Sequence, residues 1–151
     1  MHVVHLSLGF VRAEDGSAFL DRIPVLPRLC EETARVPGVR VTVLGRFDRD
    51  EDLRRNGVDY RFRVDDPALL LAGRRTIPFS LFRLARELRP DVVHVHGLLF
   101  PVQTAALRAF LGRRPVVVVQ HHGERPGGRE HGSGRCVHGQ AAVGWWWWPW
   151  R

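Results

Sequence analysis

The sequence contains no lysine, and this absence excludes several kinds of enzyme chemistry. All 23 of its basic residues are arginine. A phosphate-binding loop with its lysine, a Schiff base and the lysine pair of protein kinases are therefore impossible. The sequence also lacks a G-x-G-x-x-G after its first predicted strand, a G-x-S-x-G and an H-E-x-x-H. These absences disfavour a dinucleotide cofactor and the common hydrolase sites.

Cysteine and long apolar runs are also scarce. Cys30 and Cys136 are the only cysteines, and we expect both to be reduced thiols, which favours a cytoplasmic protein. No run of about 18 uncharged apolar residues occurs, so we expect no membrane-spanning helix. The N-terminus begins in a strand-like pattern without the basic flank and cleavage site of a signal peptide. Peripheral attachment to the inner face of the membrane stays open, although no segment shows a clear basic amphipathic face.

The overall composition is that of one folded domain. Apolar residues make up 44% of the 151 residues and charged residues 26%, close to the average for globular proteins. The net charge is +7, but arginines and acidic residues are well mixed over residues 1–124. The arginines also lack the interleaved aromatic residues that stack on bases, so we expect no nucleic-acid partner.

Short apolar runs alternate with segments of helical periodicity over the first 120 residues, which predicts an α/β fold with a doubly wound, Rossmann-like parallel sheet. Right-handed β-α-β units with short connections favour the strand order 3-2-1-4-5. The five predicted strands are 3–8, 39–44, 58–64, 91–96 and 115–120. The predicted helices are a single one from 19 to 34, one over 77–88 with its cap at Thr76, and one over 101–111.

Two strands carry further expectations about their position. Apolar and polar residues alternate over 58–64, which predicts a strand at the sheet edge, preceded by a solvated acidic loop over 48–56. The run of valines over 115–120 is apolar on both faces, as in a central parallel strand.

The character of the sequence changes after Glu124. We expect residues 1–124 to form the Rossmann-like domain and 125–151 to be an irregular tail rich in Gly, Arg and Trp. The tail ends in Trp-Trp-Trp-Trp-Pro-Trp-Arg and shows no apolar periodicity. One interpretation is an aromatic segment that binds carbohydrate or a membrane interface. The interpretation we favour is disorder or out-of-frame translation of a GC-rich gene.

Residues able to bind a ligand follow three predicted strands, at the ends where open parallel sheets bind ligands. Gly9 follows the first strand, His94-Val95-His96-Gly97 ends the fourth, and residues 121–124 follow the fifth. Because these strands are neighbours in the expected order, we expect four histidines and Glu124 to gather along one rim. Imidazoles there donate hydrogen bonds to phosphate or sugar hydroxyls, and glycines let a ligand approach the backbone.

Metal binding at this rim is a weaker hypothesis. His94 and His96 lie at i and i+2 on one face of their strand, a spacing that can chelate a metal with His121 or Glu124. No acidic pair is placed beside them, so we expect no metal site. His94 lies between valines and is more readily interpreted as a core histidine. The neighbouring carboxylates Glu14 and Asp15 are candidate bases by position only.

At this point the residues resemble a known family, the N-terminal domain of family 4 (subfamily 4-like) GT-B glycosyltransferases. Pro-Asp-Val-Val-His-Val-His-Gly after a Leu-Ala-Arg-Glu-Leu-Arg helix is typical of that group, as is a histidine–glycine pair closing the fifth strand. The resemblance covers residues 1 to about 126. It implies the acceptor-side half of an enzyme that moves a sugar from a nucleotide-sugar donor to an acceptor, with retention at the anomeric carbon and without a metal.

The resemblance also implies roles for the rim residues, although we assign no catalytic residue. It implies that His122 reaches the donor sugar and its pyrophosphate. The loop 9–16 would approach phosphate and acceptor, but it lacks the paired glycines of many family members, and Arg12 supplies charge there instead. The substrate-binding residues that the resemblance and the rim together indicate are Gly9, Arg12, Gly16, His96, Gly97, His122, Gly123 and Glu124.

Family members carry a second Rossmann-like domain that binds the donor through a Glu-x7-Glu motif, and nothing after Glu124 resembles it. We therefore expect the 151-residue chain to be inactive alone, and a partner chain carrying the donor domain stays an alternative. A non-catalytic module that holds a sugar or phosphorylated ligand at the same rim is a second hypothesis. A small metal-dependent hydrolase that uses the histidines is a third.

Overall fold

The computed structural model describes residues 1–10, 13–64, 77–97 and 101–120. These residues form a six-stranded, mainly parallel sheet flanked by helices. Its elements, in chain order, are β1 His2–Phe10, α1 Gly16–Arg22, α2 Val25–Ala34, β2 Arg40–Phe47, β3 Glu51–Arg55, β4 Val58–Val64, α3 Phe79–Glu87, β5 Val92–His96, α4 Pro101–Leu111 and β6 Val116–Gln120. None of the described helices is long and apolar enough to cross a membrane.

The sheet has the order β3-β4-β2-β1-β5-β6. All neighbouring pairs are parallel except β3 and β4, which are antiparallel. The α/β fold is thereby confirmed, and the five strands predicted from the sequence lie in the predicted relative order, with β1 at the centre. Helices lie between β1 and β2, between β4 and β5, and between β5 and β6, whereas the chain between the parallel strands β2 and β4 forms β3.

The expected acidic loop over 48–56 is wrong, because residues 51–55 form β3. Asn56 and Gly57 have positive φ angles of 48° and 83°, as the two central residues of a type I′ hairpin turn do. The carboxylate of Asp52 pairs across the hairpin with Arg63, which holds the pKa of Asp52 below its usual value. Cross-strand pairs of opposite charge therefore help to hold a strand that has no apolar run. Because β3 is the edge strand, the strand 58–64 is not at the edge.

The helical stretch expected from 19 to 34 is helical, but it divides at Ile23 and Pro24 into two helices, α1 and α2. Asp15 begins α1 as its N-cap and accepts a hydrogen bond of 2.7 Å from the amide of Ala18. The chain then breaks at Ile23, and Pro24 precedes α2. Pro27 lies in the first turn of α2, where its missing N–H breaks no helical hydrogen bond.

The valine strand 115–120 does not have the burial of a central strand. It forms β6, which pairs with β5 and is the last strand of the sheet among the described residues. Val116 is 59% exposed, and the following four residues are half-buried. An apolar run thus predicts the strand correctly but not its number of neighbours.

The core consists of two apolar layers on opposite faces of the sheet. Leu6 and Val95 belong to the layer beneath α3 and α4, against which the predicted stripe of α3 packs through Leu81. Val43 and Phe62 belong to the layer beneath α1 and α2. Side chains alternate between the two faces along a strand. His5, next to Leu6 in β1, therefore points to the face of the sheet that is covered by α1 and α2.

Candidate ligand rim and histidine cluster

The sheet brings the predicted strand ends together at one edge. β1 pairs with β5, and β5 pairs with β6. The amide of Gly97 donates a 2.9 Å hydrogen bond to the carbonyl of Gln120, which joins the ends of β5 and β6. We call this edge, formed by the carboxyl ends of the three strands, the rim. Residues 121–124 and Arg12, which the sequence assigns to it, lie outside the described residues.

Three histidines, His5, His94 and His96, form a cluster just below the rim. His5 is paired in register with His94, and His96 lies two residues further along β5. Since in-register residues of parallel neighbours and residues at i and i+2 project to the same face, the three imidazoles meet. Their ring centroids are 5.0 Å apart for His5 and His94, 5.2 Å for His5 and His96, and 4.4 Å for His94 and His96.

His5 is the most buried member of the histidine cluster. Its side chain is 2% exposed, compared with 9% for His96, and His94 is half-buried. Burial first, and the neighbouring charge of His94 second, lower the pKa of His5 to about 4. The His5 imidazole is therefore neutral at pH 7.

The hydrogen bonding of His5 is incomplete. Its Nδ1 shares a hydrogen bond of 2.9 Å with Nε2 of His96, in which one ring donates and the other accepts. Its Nε2 is buried and has no hydrogen-bond partner among the described residues. An unsatisfied buried polar atom costs roughly 1–3 kcal/mol, so such an atom in a strand interior calls for a water, an ion or a functional role.

Gly9 and Gly97 are the glycines of the rim that the structure describes at its strand ends. A Cβ added at Gly9 would meet no atom of the described residues within 4 Å, so nothing described fills the space beside the end of β1. Gly97 has a φ of 95°, a conformation that only glycine adopts without strain. No described residue therefore blocks the backbone at the end of β1, while the backbone conformation at position 97 depends on glycine.

Gly16 lies in a different environment from these two. Its amide donates 3.0 Å hydrogen bonds to both carboxylate oxygens of Glu51. A Cβ added at Gly16 would lie 2.7 Å from Cδ2 of Leu53. The glycine thus lets α1 pack closely on β3, and its proposed role in binding substrate stays a prediction. Asp15, a candidate base by position, caps α1.

Sequence reasoning missed two buried residues near the rim, His5 on β1 and Arg46 on β2. The guanidinium of Arg46 is 3% exposed and donates a 3.2 Å hydrogen bond to the carbonyl of Leu8, near the end of β1. His5 was identifiable only by setting the predicted first and fourth strands in parallel register. Arg46 follows predicted strand 39–44, and its burial required the knowledge that β2 continues to Phe47.

The fold is that of a Rossmann-like α/β protein, and in such proteins ligands bind at the carboxyl ends of the parallel strands. The model of Glycosyltransferase Family 4 matches residues 25–151, most of the chain. The chain therefore belongs to Glycosyltransferase Family 4, and the resemblance is confirmed. The match includes residues 125–151, so the division at residue 124 stays a prediction. Comparison with curated proteins and with solved structures gives no match.

Proposed function

We propose that this chain supplies the acceptor-side domain of a glycosyltransferase that uses a nucleotide-sugar donor and retains the configuration at the anomeric carbon. Membership of Glycosyltransferase Family 4 supports sugar transfer. We assign ligand binding to the rim because β1, β5 and β6 are neighbours and their carboxyl ends meet at one edge of the sheet. In open α/β sheets this edge is where ligands bind.

We assign the rim residues separate parts in binding. The open space at Gly9 admits a phosphate or a sugar next to the backbone. His96 and Gly97, at the end of β5, would line the ligand cleft that we place at the rim. The resemblance adds His122, which would reach the donor sugar. Arg46 fixes the end of β1 through the carbonyl of Leu8 and brings a buried positive charge to the side of the cleft, where an anionic ligand is favoured.

We further propose that the transfer reaction is metal-independent and that the 151-residue chain is inactive alone. The support is the resemblance, which places the donor-binding glutamates in a second Rossmann-like domain, and the sequence contains no Glu-x7-Glu. A partner chain that carries the donor domain would complete the site. We place the reaction in the cytoplasm, where the buried, free thiol of Cys30 stays reduced.

Ligand binding at the rim is tested by NMR titration of the full chain with a nucleotide sugar and, separately, with a sugar phosphate. We expect the amide signals of Gly9 and Gly97 and the ring signals of His96 to shift together. The matched reference region is the arginine-lined depression between α3 and α4, formed by Arg83, Arg86, Glu87, Arg89 and Phe110. Shifts confined to that depression would place the anion on the wrong side of the fold and contradict the proposal.

A further inference from the structure

We propose that the histidine cluster binds a Zn²⁺-type transition-metal ion through one nitrogen of each of its three imidazoles. The bound metal would take no part in the proposed sugar transfer, which needs no metal. The site lies where β1 and β5 pair, below the rim and not at its open end.

The geometry of the cluster fits three ligands. One nitrogen from each of His5, His94 and His96 lies within 4.8 Å of the other two. A tetrahedral Zn²⁺ with bonds of about 2.0–2.1 Å needs its nitrogen ligands roughly 3.3 Å apart. The nitrogens of His5 and His96 that share a hydrogen bond are already 2.9 Å apart. Small side-chain rotations therefore suffice, since paired strands fix the backbone of all three residues.

The chemistry of the cluster also fits such an ion. Burial favours the neutral imidazole, which is the form that ligates metals. The two nitrogens that would bind the ion from His5 and His96, Nδ1 and Nε2, already lie side by side, and the side chain of His5 is 2% exposed. The cluster as described offers imidazole nitrogen alone. This ligand set favours Zn²⁺, Ni²⁺ and Cu²⁺ over Mg²⁺ and Ca²⁺, which prefer carboxylate and carbonyl oxygen.

Three protein ligands leave one coordination position of a tetrahedral metal for water or another ligand. Because His5 and His94 belong to different strands, a bound ion would cross-link β1 to β5 in the centre of the sheet. An ion that binds the folded chain and not the unfolded chain raises the melting temperature. Zinc should therefore stabilise the chain, and magnesium should not.

The test uses the full chain carrying H131A, C136S and H138A, because these residues near the C-terminus are further potential metal ligands. Zinc binding is measured by equilibrium dialysis against ZnCl₂ with elemental analysis, and melting temperature is measured with ZnCl₂ or MgCl₂. We expect one Zn²⁺ per chain and a higher melting temperature with zinc only. His94→Gln and His96→Gln should each weaken binding by at least about tenfold.

His2→Gln is the matched control. His2 is a buried histidine of the same strand, but its ring nitrogens lie within hydrogen-bond distance of Thr42 and the carbonyl of Leu88. This variant should bind zinc like the parent. Circular dichroism establishes that each variant is folded.

A second measurement does not depend on the folding of any variant. Co²⁺ added to the parent chain should give visible absorption bands of a nitrogen-coordinated, four- or five-coordinate ion, and Zn²⁺ should displace it. Absence of bound zinc and of these bands in the folded parent would overturn the proposal. Equal zinc affinity of the parent, His94→Gln and His96→Gln would overturn it as well.

Discussion

At the scale of single residues, His5 combines a structural and a chemical property. Its imidazole is almost fully buried between two other histidines and is held in the neutral form, with a pKa of about 4. Most buried histidines have both nitrogens satisfied, as His2 does through Thr42 and Leu88. Only one ring nitrogen of His5 has a hydrogen-bond partner among the described residues. His5 is therefore a functional candidate because of its place in the histidine cluster, which the apolar pattern of β1 alone does not reveal.

This burial predicts how stability depends on pH. The unfolded chain takes up a proton on His5 near pH 6.5, whereas the folded chain does so only near pH 4. Acidification between these values favours the unfolded state, so the stability present above pH 6.5 falls by up to about 3 kcal/mol as the pH approaches 4. Urea unfolding at a series of pH values, with a chelator present, measures the free energy of unfolding. His5→Gln should flatten this dependence, and parallel curves for variant and parent would contradict the assignment.

Gly97 gives a second prediction at the residue scale. Its φ of 95° strains any side chain that replaces hydrogen, so Gly97→Ala should lower the free energy of unfolding by about 1–3 kcal/mol. Gly9→Ala is the control, because its added Cβ meets no atom of the described residues within 4 Å. Urea unfolding of both variants checks the difference. Equal stabilities would show that the turn after β5 relaxes without cost.

At the scale of elements, the sequence patterns predicted the strands and helices that have apolar residues at regular spacing, and they missed β3, a strand stabilised by ion pairs. The valines and leucines of β1, β2, β5 and β6 mark strands, and the stripe on α3 marks a helix. β3 has no such pattern, since four of its five residues are charged and its stability depends on cross-strand pairs such as Asp52 with Arg63. Likewise, the residue spacing within β1 does not show that His5 lies beside His94, because the register between two strands cannot be deduced from one of them.

The packing of α1 on β3 predicts the effect of a single methyl group. Gly16→Ala would place Cβ 2.7 Å from Leu53 and 2.8 Å from Phe62, which forces α1 away from the hairpin. We expect a loss of about 1–3 kcal/mol in the free energy of unfolding. Ser17→Ala, at the exposed next position of the same helix, should change it by less than about 0.5 kcal/mol. A neutral Gly16→Ala would mean that α1 does not pack tightly on β3.

At the scale of the whole molecule, the fold explains why we propose one edge of the sheet as the ligand site. A central β1 with β5 and β6 beside it places the ends of three parallel strands next to one another. The sequence predicted this arrangement because it needs only strand order and direction. His5 and Arg46 need more than this. The part of His5 depends on the register between β1 and β5, and the burial of Arg46 depends on how far β2 continues.

The measurement that tests the central claim most directly is hydrolysis or transfer of a nucleotide sugar by the full chain, alone and mixed with the separately produced donor-binding domain of a Family 4 enzyme. Hydrolysis needs no known acceptor, and NMR of the released sugar reports its anomeric configuration. We predict no turnover by the chain alone, turnover with retained configuration in the mixture, and at least about tenfold less with His96→Ala. Turnover by the chain alone, or a mixture that binds nucleotide sugar without turnover, would contradict the account.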